Sequence, residues 1–368
     1  MSDSLTKRKS NYEWLRILAM GMVITLHYMF KGGIIENPTA DFSARSIVMW
    51  LITSFCICAV NTYVLISGYF LVESEFKPAR LAGLLIQVLE YSLIIYAVLL
   101  IAGVGDVTPP TDLHSLLVYI FPVGCEEYWF VTAYFLMYLT APILAKGIRA
   151  LDKRKLIALI CLLLFFTCVE KSILPMLLPG DAYGYNYLWF MTLFCIAAYI
   201  RLYGISHLEG NKAMSWLVYA GSALLVFAIG LGFSYAGHAT GIDGLLHYSD
   251  IVFHYNYVFV LTASIGLFYI FRNASFNEEG IPARAARIMG RLTFGVYLLH
   301  EHPCVRYAWP KWLGVTSDRT LVMTILNWLW CVLLIYAAGL LIEYVRSAVH
   351  ERIAAAWNSR NGKKKDPS

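Results

Sequence analysis

Charge is what this sequence has least of. Only 14% of its 368 residues are Asp, Glu, Lys or Arg, where a soluble protein averages about a quarter. That shortage excludes an ordinary soluble domain. Polar–apolar alternation over strand-length segments is also lacking, which excludes a membrane β-barrel. The eight cysteines form no metal-type pattern. Cys56 and Cys58 stand too close for an ordinary bridge, and no second pair follows them. Most of the others fall in apolar stretches, where cysteine packs as a small hydrophobe. A bridge between Cys125 and Cys304 stays open. No small-residue cleavage site follows the first apolar run, so that run is expected to be retained rather than removed as a signal peptide. No internal repeat is evident, which weakens an inverted-repeat transporter reading. No G-x-S-x-G turn surrounds Ser67, so a serine nucleophile is not expected there.

Apolar residues are plentiful. They make up 59% of the chain, mean hydropathy is +0.62, and they come in runs of about 20, enough to span a bilayer. The fold class read from this is all-α: a polytopic membrane protein of about ten transmembrane helices. The windows lie near 12–30, 47–71, 80–104, 127–146, 156–178, 187–203, 215–236, 251–271, 289–308 and 320–346. Segment 113–123 is apolar but too short to cross. The longest outer loop is expected around 237–250, with His247 in it and His254 at the interface. With the N-terminus inside, 22 of the 29 Lys and Arg fall on the inner side and six on the outer, Arg16 being within the first span. The outer stretch ending at Glu127 carries Asp106, Asp112, Glu126 and Glu127 and no base. This bias predicts both termini in the cytoplasm. A single membrane domain is expected over 1–368, with its core at 11–346. Residues 347–368 would form a basic cytoplasmic tail, ending in Lys363-Lys364-Lys365, that touches anionic lipid.

Within the first span, "NYEWLRILAMGMVITLHYMF", two ionisable residues need explaining. Arg16 and His27 are eleven residues apart, which is three helical turns plus roughly 20°, so they share a face. Arg16 could snorkel to the headgroups and pair with Glu13. Alternatively, both could line a polar channel in the bundle interior. Glu90, near the middle of the third helix, needs a cationic partner, and Arg16 is the natural one. Asn61 suits a helix–helix hydrogen bond. His300, Glu301 and His302 suggest a metal at first sight, but i and i+2 do not share a helix face and no further ligand motif appears, so none is expected. Tyr128 and Trp129, beside Glu126 and Glu127, form either an aromatic belt or a sugar-stacking platform with carboxylates to accept hydroxyl hydrogen bonds.

Arg16, ten intervening residues, then His27 resembles the signature of the acyltransferase 3 family of integral membrane acyltransferases. "TYVLISGYFL" (Thr62 to Leu71), "KPARL" (Lys77 to Leu81), "EYWFVTAYFLMYLTAPIL" (Glu127 to Leu144) and "TFGVYLLHEHP" (Thr293 to Pro303) are similar, in order, to later segments of that family. The resemblance covers about 11–346. It implies transfer of an acyl group, usually acetyl, from cytoplasmic acyl-CoA to an acceptor hydroxyl outside, with no permanently bound cofactor. The donor's phosphates would stay at the inner face on Arg16, Lys77 and Arg80. Its uncharged pantetheine arm would reach along the stripe to His27, the general base, with an acyl-histidine relay left open. Glu90, Asn61, Glu126, Glu127, Trp129, His300 and Glu301 are candidates for the cavity or the acceptor site.

The expected setting is a bacterial plasma membrane. Expected partners are acyl-CoA, a surface polysaccharide or lipid-linked sugar, and lipid, with no nucleic acid. Two alternatives stand beside this: a transporter or flippase with a polar path, and an acyltransferase for an amino acid, lipid or secondary metabolite.

Overall fold

The computed structural model describes residues 8–36, 38–105, 107–173 and 182–362, with side chains as far as 353. Lys7, Asp106, part of the 156–178 window and the Lys363-Lys364-Lys365 run lie outside the described residues. The described chain is all-helical. The helices are α1 Ser10–Lys31, α2 Ala44–Cys56, α3 Ala59–Leu71, α4 Pro78–Ala102, α5 Leu113–Ile120, α6 Trp129–Ala150, α7 Lys153–Leu164, α8 Glu170–Ile173, α9 Tyr187–Tyr203, α10 Lys212–Thr240, α11 Asp243–Ile251, α12 Val258–Arg272, α13 Ile281–His300, α14 Trp309–Trp312 and α15 Leu321–Gly362. Among the described residues, six segments are long and apolar enough to cross a membrane: Ala44–Leu71, Pro78–Ala102, Trp129–Ala150, Lys153–Ile173, Lys212–Thr240 and Leu321–Ile353. α9 and α12 are apolar but shorter, and α1 and α13 are long enough but carry charge.

Charge and position go together. α1 packs against α2, α3, α12, α13 and α15, so lipid does not surround its ionisable residues. Such groups belong in a bundle interior. The apolar window of Lys153–Ile173 is only 17% buried and that of Leu321–Ile353 only 22%, against 61% for Ala44–Leu71. The first two therefore face lipid, where the third is core.

Local chemistry sets many helix ends. Asp112, Asp152, Asn186 and Asn211 cap α5, α7, α9 and α10 by accepting from backbone N–H groups, as N-cap residues do. Pro78 and Pro282 open α4 and α13, where a missing N–H costs nothing. The start of α1 is capped from afar: Ser10 N–H donates to the Glu278 carboxylate, at 3.1 and 3.2 Å, and Arg287 holds Glu278 in turn at 2.8 Å.

Three sequence expectations are corrected. The 47–71 window is two helices, broken at Ile57 and Cys58. Thr53 and Ser54 hydroxyls donate to carbonyls one turn back, and Tyr219 takes the Phe55 carbonyl at 3.0 Å. Such back-bonding and side-chain insertion bend helices. The 237–250 loop is the end of α10 plus α11. Gly237 permits this fold-back, because a Cβ there would strike Leu246. The last helix does not end with the 320–346 window: α15 continues to Gly362. Residues 347–361 contain Ala, Glu and Arg and neither Gly nor Pro, so nothing stops the helix. On the bridge that the sequence left open, Cys125 and Cys304 are both free. Cys304 Sγ lies 2.9 Å from the Tyr119 hydroxyl instead.

Candidate active site

Arg16 and His27 line one cavity of about 580 Å³. Its walls come from α1, α3, α4, α6 and α13, with Arg8 and Tyr255 completing them. The two residues are separated along α1 by about 16 Å, so they mark different ends of the space.

The Arg16 end is basic. Arg8, Arg80 and Arg291 line the cavity with Arg16. One buried carboxylate, Glu13, forms ion pairs with Arg16 and, at 3.3 Å, with Arg8. Gly290 makes room for it, since a Cβ on that residue would collide with the Glu13 carboxylate. The Tyr63 hydroxyl donates to the Arg16 carbonyl at 2.6 Å, tying α3 to α1. Burial makes the Arg8 guanidinium easier to deprotonate, Glu13 opposes this, and Arg16, Arg80 and Arg291 add to it. Glu351 lies 3.9 Å from Arg291, so four guanidinium groups face two carboxylates and leave a net positive end, suited to phosphate by charge and by its fixed N–H forks.

The His27 end is built differently. α13 ends at His300, and its last turn lies against α1. His300 Nε2 is 3.0 Å from His27 Nδ1, and His300 Nδ1 is 2.6 Å from the Val296 carbonyl. A carbonyl only accepts, so His300 Nδ1 carries the proton and its Nε2 is an acceptor. His27 Nδ1–H therefore donates to His300. Glu301 Oε2 lies 3.3 Å from the same nitrogen as a second acceptor. Among the described residues both polar side-chain contacts of His27 are at Nδ1, which leaves the Nε2 lone pair free for a ligand in the cavity. Fixing one ring nitrogen to set the role of the other is how histidine is tuned.

Glu301 is 3% exposed, and a buried carboxylate needs compensation. It forms an ion pair with Lys31, one turn beyond His27 on α1, and lies 3.8 Å from Arg306. Arg306 also reaches Glu127 at 3.5 Å. Beside this cluster stand aromatic rings. Trp129, on the cavity wall, lies nearly parallel to Tyr255 with centroids 5.8 Å apart, and Tyr185 is 4.3 Å from Trp129.

Several sequence candidates sit elsewhere. Lys77 is exposed at the N-cap of α4 and does not line the cavity. Glu90 does not meet Arg16. It pairs with Arg346 at 2.6 Å and His350 at 3.3 Å, because α4 turns that side towards α15. Asn61 is fully buried behind the wall, donating to the Tyr255 carbonyl at 2.7 Å and accepting from Trp189 at 2.9 Å. Glu126 is exposed in a turn with φ 60°, and Glu127 is held by Arg306. Tyr128 is buried, its hydroxyl 3.3 Å from the Leu298 carbonyl. The sequence reading omitted Arg8, Arg291, Lys31, Arg306, Tyr255 and Tyr297 from the site. Lys31 carried a signal, being four residues from His27 and so on the same face. Tyr297 carried one too, lying one turn before His300 on α13, whereas Arg8, Arg291, Arg306 and Tyr255 meet the site through tertiary contacts.

Comparison with curated proteins and with solved structures gives no significant match. Comparison with family models does: the acyltransferase domain of the acyltransferase 3 family matches residues 9–344. That stretch includes α1, with Arg16 and His27, and α13, with the histidine that holds His27 in place, so the chain belongs to this family of acyltransferases.

Proposed function

We propose that the protein is a membrane-embedded O-acyltransferase. It moves an acyl group, in the first instance acetyl, from cytoplasmic acyl-CoA to a hydroxyl of a surface glycan or its lipid-linked precursor. The observation that carries this is the shared cavity: a surplus of arginine at one end, and at the other a histidine whose Nδ1–H is held from behind. The proposed setting is a bacterial plasma membrane. The proposed topology has ten spans, made of the six long apolar segments with α9, α12, α1 and α13, and both termini in the cytoplasm.

Each end suits one half of the reaction. The phosphates of acyl-CoA are too charged to enter lipid. Arg8, Arg16, Arg80 and Arg291 would keep them at the inner mouth, with Lys77 outside the set. The uncharged arm would run along the face shared by Arg16 and His27. At the outer end, His27 Nε2 takes the proton of the acceptor hydroxyl as its oxygen attacks the thioester carbonyl. It then returns that proton to the departing thiolate. Because one imidazole performs both transfers, we favour direct attack over an acyl-histidine intermediate. Trp129 and Tyr255 offer flat apolar faces for a sugar ring, which supports the glycan reading of the acceptor.

The test uses inverted membrane vesicles loaded with cell-envelope glycan and supplied from outside with radiolabelled acetyl-CoA, comparing the native chain with His27→Ala. Label should enter the glycan fraction with the native chain and fall at least about 1,000-fold in the variant, as for loss of an essential base with nothing to replace it. Release of CoA without labelled glycan would retain the transferase and overturn the glycan acceptor. No consumption of acetyl-CoA by folded protein would overturn the acetyl donor.

A further inference from the structure

We infer that Tyr297 is a catalytic residue whose hydroxyl donates a hydrogen bond to the acyl carbonyl oxygen and to the oxyanion formed from it. This deepens the transferase reading and rests on it.

Two buried polar atoms of cavity-lining side chains lack a hydrogen-bond partner among the described residues: Arg8 Nη1, at the basic end, and the Tyr297 hydroxyl. Three other hydroxyls on the wall, those of Tyr63, Ser67 and Thr293, already donate to backbone carbonyls. Tyr63 donates to the Arg16 carbonyl and Thr293 to the Gly290 carbonyl. Tyr297 is 6% exposed. Its ring is held by Phe130 at 5.7 Å, Tyr128 at 6.2 Å and Phe294 at 6.3 Å between centroids. A phenylalanine would make the same ring contacts without stranding a buried hydroxyl, and buried polar groups without partners are rare and call for a reason.

Position supplies the reason. Tyr297 lies one turn before His300 on α13, and their rings meet edge to face at 6.2 Å. The His300 ring in turn lies 5.1 Å from that of His27. Tyr297 therefore lines the cavity beside the proposed base, with its unspent hydroxyl buried at the wall. Held in place by packing rather than by a competing acceptor, it is preorganised, and donors of this kind act most strongly on charge that develops in a water-poor site.

The reaction then balances as follows. The acceptor oxygen forms a bond to the thioester carbon and its proton passes to His27 Nε2. The carbonyl π pair moves onto oxygen, where Tyr297 O–H donates to it. When that pair returns, the C–S bond breaks, and the CoA sulfur leaves with the proton from His27. The products are an ester and free CoA.

The experiment uses the full-length protein in liposomes. Turnover is read as CoA released from acetyl-CoA, with either water or envelope glycan as acceptor, since both routes pass through the oxyanion. Binding is read with acetonyl-CoA, whose ketone replaces the thioester. We expect Tyr297→Phe to lower kcat by about 100-fold or more, the loss typical of one oxyanion donor. Affinity for acetonyl-CoA should change by less than about threefold, because the lost interaction matters chiefly in the transition state. The infrared carbonyl stretch of bound ¹³C-acetonyl-CoA should rise in the variant, which a purely structural role would not produce. Should Tyr297→Phe melt early, 3-fluorotyrosine at this position, a stronger donor of nearly the same size, should instead lower the stretch below that of the native chain. Native turnover with an equally active Tyr297→Phe, or a carbonyl frequency indifferent to both replacements, overturns this inference and leaves the transferase standing. Folded native protein that neither binds nor turns over acyl-CoA overturns both.

Discussion

His27 owes its role to what lies behind it. The proton on Nδ1 has two acceptors, His300 Nε2 at 3.0 Å and Glu301 Oε2 at 3.3 Å. Losing one should weaken the base rather than abolish it. His300→Phe keeps a ring of similar bulk and removes the nearer acceptor. We expect kcat for CoA release to fall roughly 10- to 100-fold, less than for His27→Ala. Adding His300→Phe to His27→Ala should cost nothing further, because groups acting as a unit are non-additive. An additive double variant would show that His300 works on its own. Arg16 and His27 were legible in the sequence because an α-helix fixes the relative facing of residues eleven apart. His300 was visible as a residue, but its contact with His27 spans 273 positions, and no periodicity reports that. Glu90 shows the same limit. Burial in a membrane helix implied a cation, but its identity, Arg346 on α15 rather than Arg16 on α1, depends on which neighbour each face of α4 meets.

Among the elements, α1 and α13 carry both ends of the site, and their close approach is set by small residues. Gly290 sits opposite Glu13, whose carboxylate organises Arg8 and Arg16. Gly290→Val would push that carboxylate aside. We expect a destabilisation of about 1–3 kcal/mol from overpacking, read as an earlier thermal melt. We also expect a KM for acetyl-CoA raised by roughly tenfold, with kcat changed less, because the arginines serve binding more than chemistry. An unchanged KM would separate Glu13 from the donor site. Helix existence was largely legible from apolar runs, whereas helix ends followed contacts and caps. The break at Ile57 and Cys58 depends on the Tyr219 hydroxyl from α10. The continuation of α15 to Gly362 depends on the lack of a stop signal, which a hydropathy window does not register.

At the scale of the whole molecule, a cavity with two unlike ends is useful only if those ends face opposite compartments. Acyl-CoA is made and kept inside, so the arginine end must be cytoplasmic for the proposed reaction to run. The Lys and Arg bias along the sequence favours that orientation by the positive-inside rule, and Cys125 offers a direct check. It is exposed and lies two residues from Glu127, which Arg306 links to the Glu301 cluster behind His27. Cys125 therefore belongs to the His27 end. A membrane-impermeant maleimide added to intact spheroplasts should modify Cys125, with the labelled peptide identified by mass spectrometry of the native chain. Buried Cys56, Cys58 and Cys195 should remain unmodified until the protein is unfolded. Labelling of Cys125 only in inverted vesicles would place the arginine end outside, beyond the reach of cytoplasmic acyl-CoA. The transfer proposed here would then lack its donor, however well the cavity is built.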